Sequence, residues 1–176
     1  LEFRRVLFRS GSDVRERILD TILSSRVQSE TLSNRQQIKV FLGAYFAHVP
    51  YEDLQGRDEK IMARAALSHL EFGAVRRQGQ PLIRFFNPTL EDHGYESAYS
   101  FVEMVNDDMP FLVDSLSAAI ERQKLTIHMT VHPILKIERD GRGKMKRICA
   151  PGDAGGVAES FIRIAVDREA DEQHLS

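Results

Sequence analysis

One cysteine, Cys149, stands alone in this chain, so no intrachain disulfide can staple it. A fold that must stand without disulfides suits a reducing, cytoplasmic setting. No uninterrupted apolar run approaches the roughly 20 residues that span a bilayer, which argues against a membrane partner. Basic residues hold no majority either: 24 Lys and Arg face 26 Asp and Glu, a balance that argues against a nucleic-acid partner. What remains is the composition of a globular protein, 42% hydrophobic and 28% charged, on a chain of 176 residues that can hold one domain and an appendage.

The first ten residues, LEFRRVLFRS, look at first like a basic amphipathic targeting segment. Their back-translation resembles a common sequencing-library adapter. Residues 1–10 are therefore expected to be a read-through artefact, to be set aside from the fold as one sets aside a cloning scar, and the chain to be a piece of a longer protein.

Residues 12–78 read as helical. Val14, Ile18, Ile22 and Leu23 recur at helical spacing, as do Ile38, Phe41, Leu42, Tyr45, Phe46 and Val49, with Ser33 as the expected N-cap of the second helix and Pro50 as its stop. A third helix is expected from about Asp58 to Arg77, with Arg76 and Arg77 at the negative end of its dipole. From Gln80 the period becomes two. Strands are expected at Leu82–Phe86 and Tyr99–Val105, then a helix over about 110–124 with Leu112, Val113, Leu116, Ala119 and Ile120 on its apolar face. Thr126 to Glu138 reads as one alternating strand, with Ile127, Met129, Val131, Leu135 and Ile137 on one side. Asp140-Gly141 signals a turn, a glycine-rich loop follows through Gly156, and Phe161–Asp167 closes the series as a strand. The order predicts an α+β fold in which a helical lead-in precedes an antiparallel sheet with helix on one face, the opening of a ferredoxin-like unit.

The densest polar chemistry lies in VNDDMPFLVDSL, where Asp107, Asp108 and Asp114 surround Pro110. One of the paired aspartates can cap the helix that follows, and both complement its dipole. Acid–base catalysis needs converging carboxylates, whereas neighbours on a strand end diverge. A third reading is a small carboxylate held by the free N–H groups of the turn. His128 and His132 share a strand face about 13 Å apart, too far for one zinc, so no metal site is expected. His69, on an apolar helical stripe, reads as a hydrogen-bonded core residue, His48 and His93 stand alone, and Cys149 reads as a small buried apolar group or idle thiol. Gly141-Arg142-Gly143 lacks the third glycine and the following helix of a dinucleotide fingerprint and reads as a hairpin loop.

The stretches FFNPTLEDHGYES (85–97), VEMVNDDMPFLVDSL (102–116) and LTIHMTVHPIL (125–135) resemble the N-terminal region of the large bacterial NAD-specific glutamate dehydrogenases. YFAHVPYEDL (45–54), ALSHLEFGAVRRQGQP (66–81) and ESFIRIAVDR (159–168) extend the resemblance over about residues 34–168. It implies a helical segment at 11–79, then an ACT-like regulatory domain at 80–176 that is incomplete at its C-terminus, wanting a second helix and fourth strand unless Leu82–Phe86 supplies the missing neighbour. The family's strand-to-helix junction reads Asp-x-Pro-Gly-Leu. Here Asp108-Met109-Pro110-Phe111-Leu112 stands in that place, with Phe111 where glycine is usual. The resemblance thus nominates Asn106, Asp107, Asp108, Met109, Pro110, Phe111, Leu112 and Val113 as the place for a small amino-acid effector. It implies no catalytic residue in this chain, since the dehydrogenase domain and its NAD site lie downstream, with no cofactor bound here. Its expected partners are the other domains of the same large chain and further copies of it in a homo-oligomer. A sensor of amino acids and an assembly module both fit, and the bulk of Phe111 favours assembly.

Overall fold

The computed structural model describes residues 16–18, 20, 21, 31, 34–150 and 152–171. Residues 1–10, along with Val14, Ile22, Leu23 and the expected cap Ser33, lie outside the described residues. Ile18 is helical and fully buried. Helix α1 (Arg35–Tyr45) is capped one residue after Ser33: the Asn34 side chain accepts from the Gln36 N–H, and Ile38, Phe41, Leu42 and Tyr45 form its buried stripe. Phe46 and Val49 are also buried, but in the turn beyond the helix. Pro50 then opens the short α2 (Tyr51–Leu54) rather than merely stopping its predecessor.

Helix α3 (Glu59–Phe72) is capped by Asp58, whose carboxylate accepts from the N–H groups of Lys60 and Ile61. It ends at Gly73, five residues after Ser68 and well short of Arg77. The reason is packing. A Cβ at position 73 would lie 2.7 Å from the Phe161 ring, so the helix ends where glycine lets the chain dive against the sheet. Arg76 and Arg77 therefore serve no helix dipole, and Arg76 is instead buried at the sheet surface.

The sheet comprises β1 (Leu82–Phe86), β2 (Ser100–Asp107), β3 (Ile127–Val131), β4 (Ile134–Arg139), β5 (Met145–Ile148) and β6 (Val157–Val166), with the short α4 (Leu90–His93) after β1 and α5 (Leu112–Arg122) after β2. Its order is β1-β2-β6-β4-β5, all antiparallel, with β3 also paired to β6. A ferredoxin-like order places the fourth strand beside the first; here β1, from ahead of β2 in the chain, holds that place.

Two expectations change. Thr126–Glu138 is two strands. Pro133 interrupts them, having no N–H for the ladder, and its carbonyl accepts from Phe161 N–H at 3.0 Å. A register shift between Ile127 and Met129 also turns Ile127 to the α5 side, while Met129, Val131, Leu135 and Ile137 face the opposite way. The glycine-rich stretch likewise contains β5, and β6 begins at Val157 rather than Phe161.

Each sheet face is covered. Helix α5 packs Leu112, Val113, Leu116 and Ile120 over Val102, Met104, Ile162, Ile164 and Val166. The lead-in helices α1 and α3 cover the other face, where Phe41, Leu42, Tyr45, Ala66, Leu67 and Leu70 meet Val105, Val131, Leu135, Ile137 and Phe161. Strands β2 and β6 sit at the centre of this sandwich and read as nearly continuous buried runs.

Candidate functional site

The turn at 106–113 joins β2 to α5. Asp107, the last residue of β2, and Asp108, just beyond it, turn to different partners. Neither caps α5, contrary to expectation. The Asp107 carboxylate accepts from Arg76 Nη2 at 2.6 Å and from Gly79 N–H at 2.8 Å. Burial works against its charge, but those donors hold its pKa below the ordinary carboxylate value. The Asp108 carboxylate accepts from the Ser160 hydroxyl at 2.7 Å, while its backbone N–H donates to Ala158 C=O at 3.0 Å. Asp114 is exposed in the first turn of α5.

Ser160 also lies 3.1 Å from His132 Nε2. The hydroxyl has one proton and gives it to Asp108, so His132 Nε2 must be the donor in the second bond. Imidazole here gives a proton toward the serine instead of taking one, and Ser160 is fully buried. The Asp108–Ser160–His132 chain fastens the turn to β6 and carries no activated nucleophile.

Phe111 takes the left-handed conformation at φ 66° as the residue before α5, without a side-chain cap. A Cβ is strained in this region, which glycine would tolerate without cost. The Phe111 side chain is 76% exposed, beside Met109 at 49%, so the turn ends in an apolar tip facing solvent. Asn106 is buried, Pro110 is exposed, and Leu112 and Val113 belong to the α5 packing.

Two ionic clusters on the lead-in face were missed by sequence reasoning. They occupy rows of the β2–β6 ladder: Glu103 opposite Arg163, then Val105 opposite Phe161, then Asp107 opposite Glu159. In the Glu159 cluster, Arg76 bonds Asp107 and Glu159 and the carbonyls of Arg77 and Gln80. Arg139 grips both Glu159 oxygens, at 2.7 and 2.8 Å, and the carbonyls of Gly73, Ala74 and Gly143. Every N–H of both guanidiniums has an oxygen partner. A cleft of about 400 Å³ adjoins them, yet they have no donor left for an anion.

In the second cluster, Glu103 is fully buried and accepts from Arg163 and, at 2.8 Å, from Arg84. Arg84 lies between the rings of Phe72 and Phe86, 4.5 and 4.2 Å from their centroids. Burial pushes the Glu103 carboxyl up, but the Arg163 and Arg84 guanidiniums outweigh it and leave its pKa below the ordinary value. His69 is wholly buried between Met104 C=O, 3.3 Å from Nε2, and the Tyr45 hydroxyl, 2.9 Å from Nδ1. A carbonyl only accepts, so Nε2 carries the proton and Tyr45 donates to Nδ1. Burial lowers the His69 pKa to about 4 and keeps the ring neutral.

The remaining candidates disperse. His128 pairs with Asp167 at 2.7 Å, away from His132 and Ser160. His93 stacks on Phe86. Cys149 is buried, and burial pushes its thiol pKa up, the direction of an inert thiol. Among the described residues no group of three or more His, Cys, Asp or Glu is placed to hold a metal, and no helix is long and apolar enough to cross a membrane.

A sequence-family model described as "Glutamate dehydrogenase, ACT1 domain" matches residues 41–176. The chain is similar to the NAD-specific glutamate dehydrogenase of Halomonas elongata, 33% identical over 156 residues, which is 87% of this chain and 10% of that protein. It is also similar to the NAD-specific glutamate dehydrogenase of Pseudomonas aeruginosa, 28% identical over 152 residues, 85% of this chain and 9% of that protein. The chain thus spans about a tenth of the length of the curated relatives it matches. No solved structure matches.

Proposed function

Because this chain belongs to the glutamate dehydrogenase ACT1-domain family, we propose that it is a non-catalytic N-terminal part of an NAD-dependent glutamate dehydrogenase. The whole enzyme would oxidise L-glutamate to 2-oxoglutarate and ammonia with NAD bound elsewhere, in the cytoplasm. Within it, this region serves assembly: it docks against other domains of the same large chain or against a further copy in a homo-oligomer.

One observation carries the assembly reading. The junction turn presents Phe111 and Met109 to solvent, while Asp107 and Asp108 are spent on Arg76, Gly79 and Ser160. An exposed apolar tip on a pinned turn suits a protein surface better than an amino-acid effector, which needs free polar partners and close backbone approach. Replacing Phe111 by Lys in the full-length enzyme should shift its assembly equilibrium in analytical ultracentrifugation, with the unfolding of this region little changed. Unaltered assembly would overturn the reading. A sensing turn would instead show amino-acid binding, by calorimetry, that the same substitution abolishes. The 176-residue chain alone should form no NADH from glutamate, and detectable turnover would refute its non-catalytic assignment.

A further inference from the structure

Between α3 and the lead-in face of the sheet lies a cavity of about 310 Å³. Its walls are mainly apolar, with Met62, Ala66, Phe101, Met129 and Val131 among them, and its buried polar groups come from Arg163, Tyr95 and Tyr45, whose hydroxyl is taken by His69. We propose that this cavity binds a small apolar monocarboxylate, gripped by the Arg163 guanidinium and the Tyr95 hydroxyl.

The donor count carries the inference. Arg163 has five N–H groups. Nη1 serves Glu103 and Ala65 C=O, and Nη2 gives one proton to the Tyr95 oxygen at 2.7 Å. The Nε–H and the second Nη2–H have no partner among the described residues. Tyr95 accepts from Arg163, which leaves its own O–H proton without a partner there too. Arg163 is 3% exposed and Tyr95 2%, so these three donors sit where an unmet hydrogen bond is costly. An Nε–H and Nη2–H pair is also the fork that grips a carboxylate through both oxygens.

Charge sets the ligand class. Arg84 and Arg163 share the single carboxylate of Glu103, and His69 beside them is neutral, so the buried cluster is one positive charge in excess, while Arg57, Asp58 and Glu96 line the more exposed rim of the cavity. One carboxylate balances that buried charge; a second would overshoot it and meet the rim carboxylates of Asp58 and Glu96. The apolar walls call for an aliphatic or aromatic remainder, and the volume lies at the lower end of the ~300–1,000 Å³ range of small-molecule sites. Arg163 stands four residues along β6 from Glu159, the partner of Asp107, or roughly 13 Å from the junction turn. The cavity is therefore separate from the turn assigned to assembly.

Calorimetric titration of the 176-residue chain with 4-methylpentanoate, 4-methylpentanamide and glutarate tests this. The monocarboxylate should bind, with the isosteric amide and the dicarboxylate each at least about tenfold weaker, the factor expected when a charge-assisted bond is lost. Tyr95→Phe, which keeps the ring and the packing, should weaken 4-methylpentanoate about tenfold, and Arg163→Met should abolish binding. Phe111→Lys should bind as the parent chain does, which separates this site from the assembly surface. No binding at millimolar 4-methylpentanoate, equal binding of acid and amide, or binding indifferent to Tyr95→Phe would overturn the proposal.

Discussion

The two arginine clusters on the lead-in face share strands, chemistry and burial, and differ in their accounts of charge and donors. Around Glu159, two guanidiniums meet two carboxylates, and all their N–H groups find oxygens, many of them carbonyls of the 73–80 segment. That cluster is neutral and saturated, a clasp tying the end of α3 to β2, β4 and β6. Around Glu103, two guanidiniums meet one carboxylate, and a cavity adjoins the donors that have no partner among the described residues. Val105 and Phe161, both fully buried, separate the two. A buried ion pair is weak evidence of stability in itself, since desolvation offsets its attraction. What distinguishes a clasp from a site is whether the donors are used up.

Removing one carboxylate from each cluster tests that comparison most severely. Glu103→Gln leaves Arg163 buried and uncompensated and should cost about 3–5 kcal/mol in urea unfolding. Glu159→Gln should cost less, because Asp107 still holds Arg76. The reverse order would break the comparison.

Next in size is a pH effect confined to the Glu103 cluster. His69 has a folded-state pKa of about 4 against an ordinary 6.5, so between those values the unfolded chain binds a proton that the folded one refuses. Its contribution is complete above about pH 6.5 and is lost as pH falls through about 4, on the order of 3 kcal/mol at about 1.4 kcal/mol per unit. Replacing His69 by Gln should flatten the stability profile over that window, while Glu159→Gln should leave its slope alone. An unchanged slope in His69→Gln would show that another group titrates there.

A smaller effect probes the clasp through its backbone. Gly143 has φ +84°, and a Cβ there would lie 2.5 Å from the Arg76 carbonyl oxygen. Gly143→Ala should destabilise by about 1–3 kcal/mol through crowding and strain, without affecting 4-methylpentanoate binding at the other cluster. A neutral result would mean that the 73–77 segment yields easily and that the clasp is slack.

The smallest concerns the turn. Phe111→Gly relieves the left-handed strain but loosens the unfolded chain, so a gain of at most about 1 kcal/mol is expected from the urea midpoint. A loss would show that the exposed ring packs more tightly than its 76% exposure indicates.

Much of the secondary structure was legible because local rules govern it. The start of α3 near Asp58, the stripe of α1, β1 at Leu82–Phe86 and the apolar face of α5 follow from residue spacing. The family resemblance was legible too, in the NDDMPFLVDS stretch. The break at Pro133, the bulge beside Ile127 and the end of α3 at Gly73 were not. Each is set by a partner distant in sequence, Phe161 or its neighbours on β6.

The two clusters lay further from view for the same reason. In FVEMV and FIRIAV, alternation alone puts Glu103 and Arg163 on the face away from Met104 and Ile164, which for a half-covered sheet is the solvent face. The sequence by itself determined that these residues share a face, because side chains on a strand alternate with period two. Only the tertiary structure decided that this face is interior: α1 and α3 fold across it, and burial then obliges each charge to find a partner or a ligand.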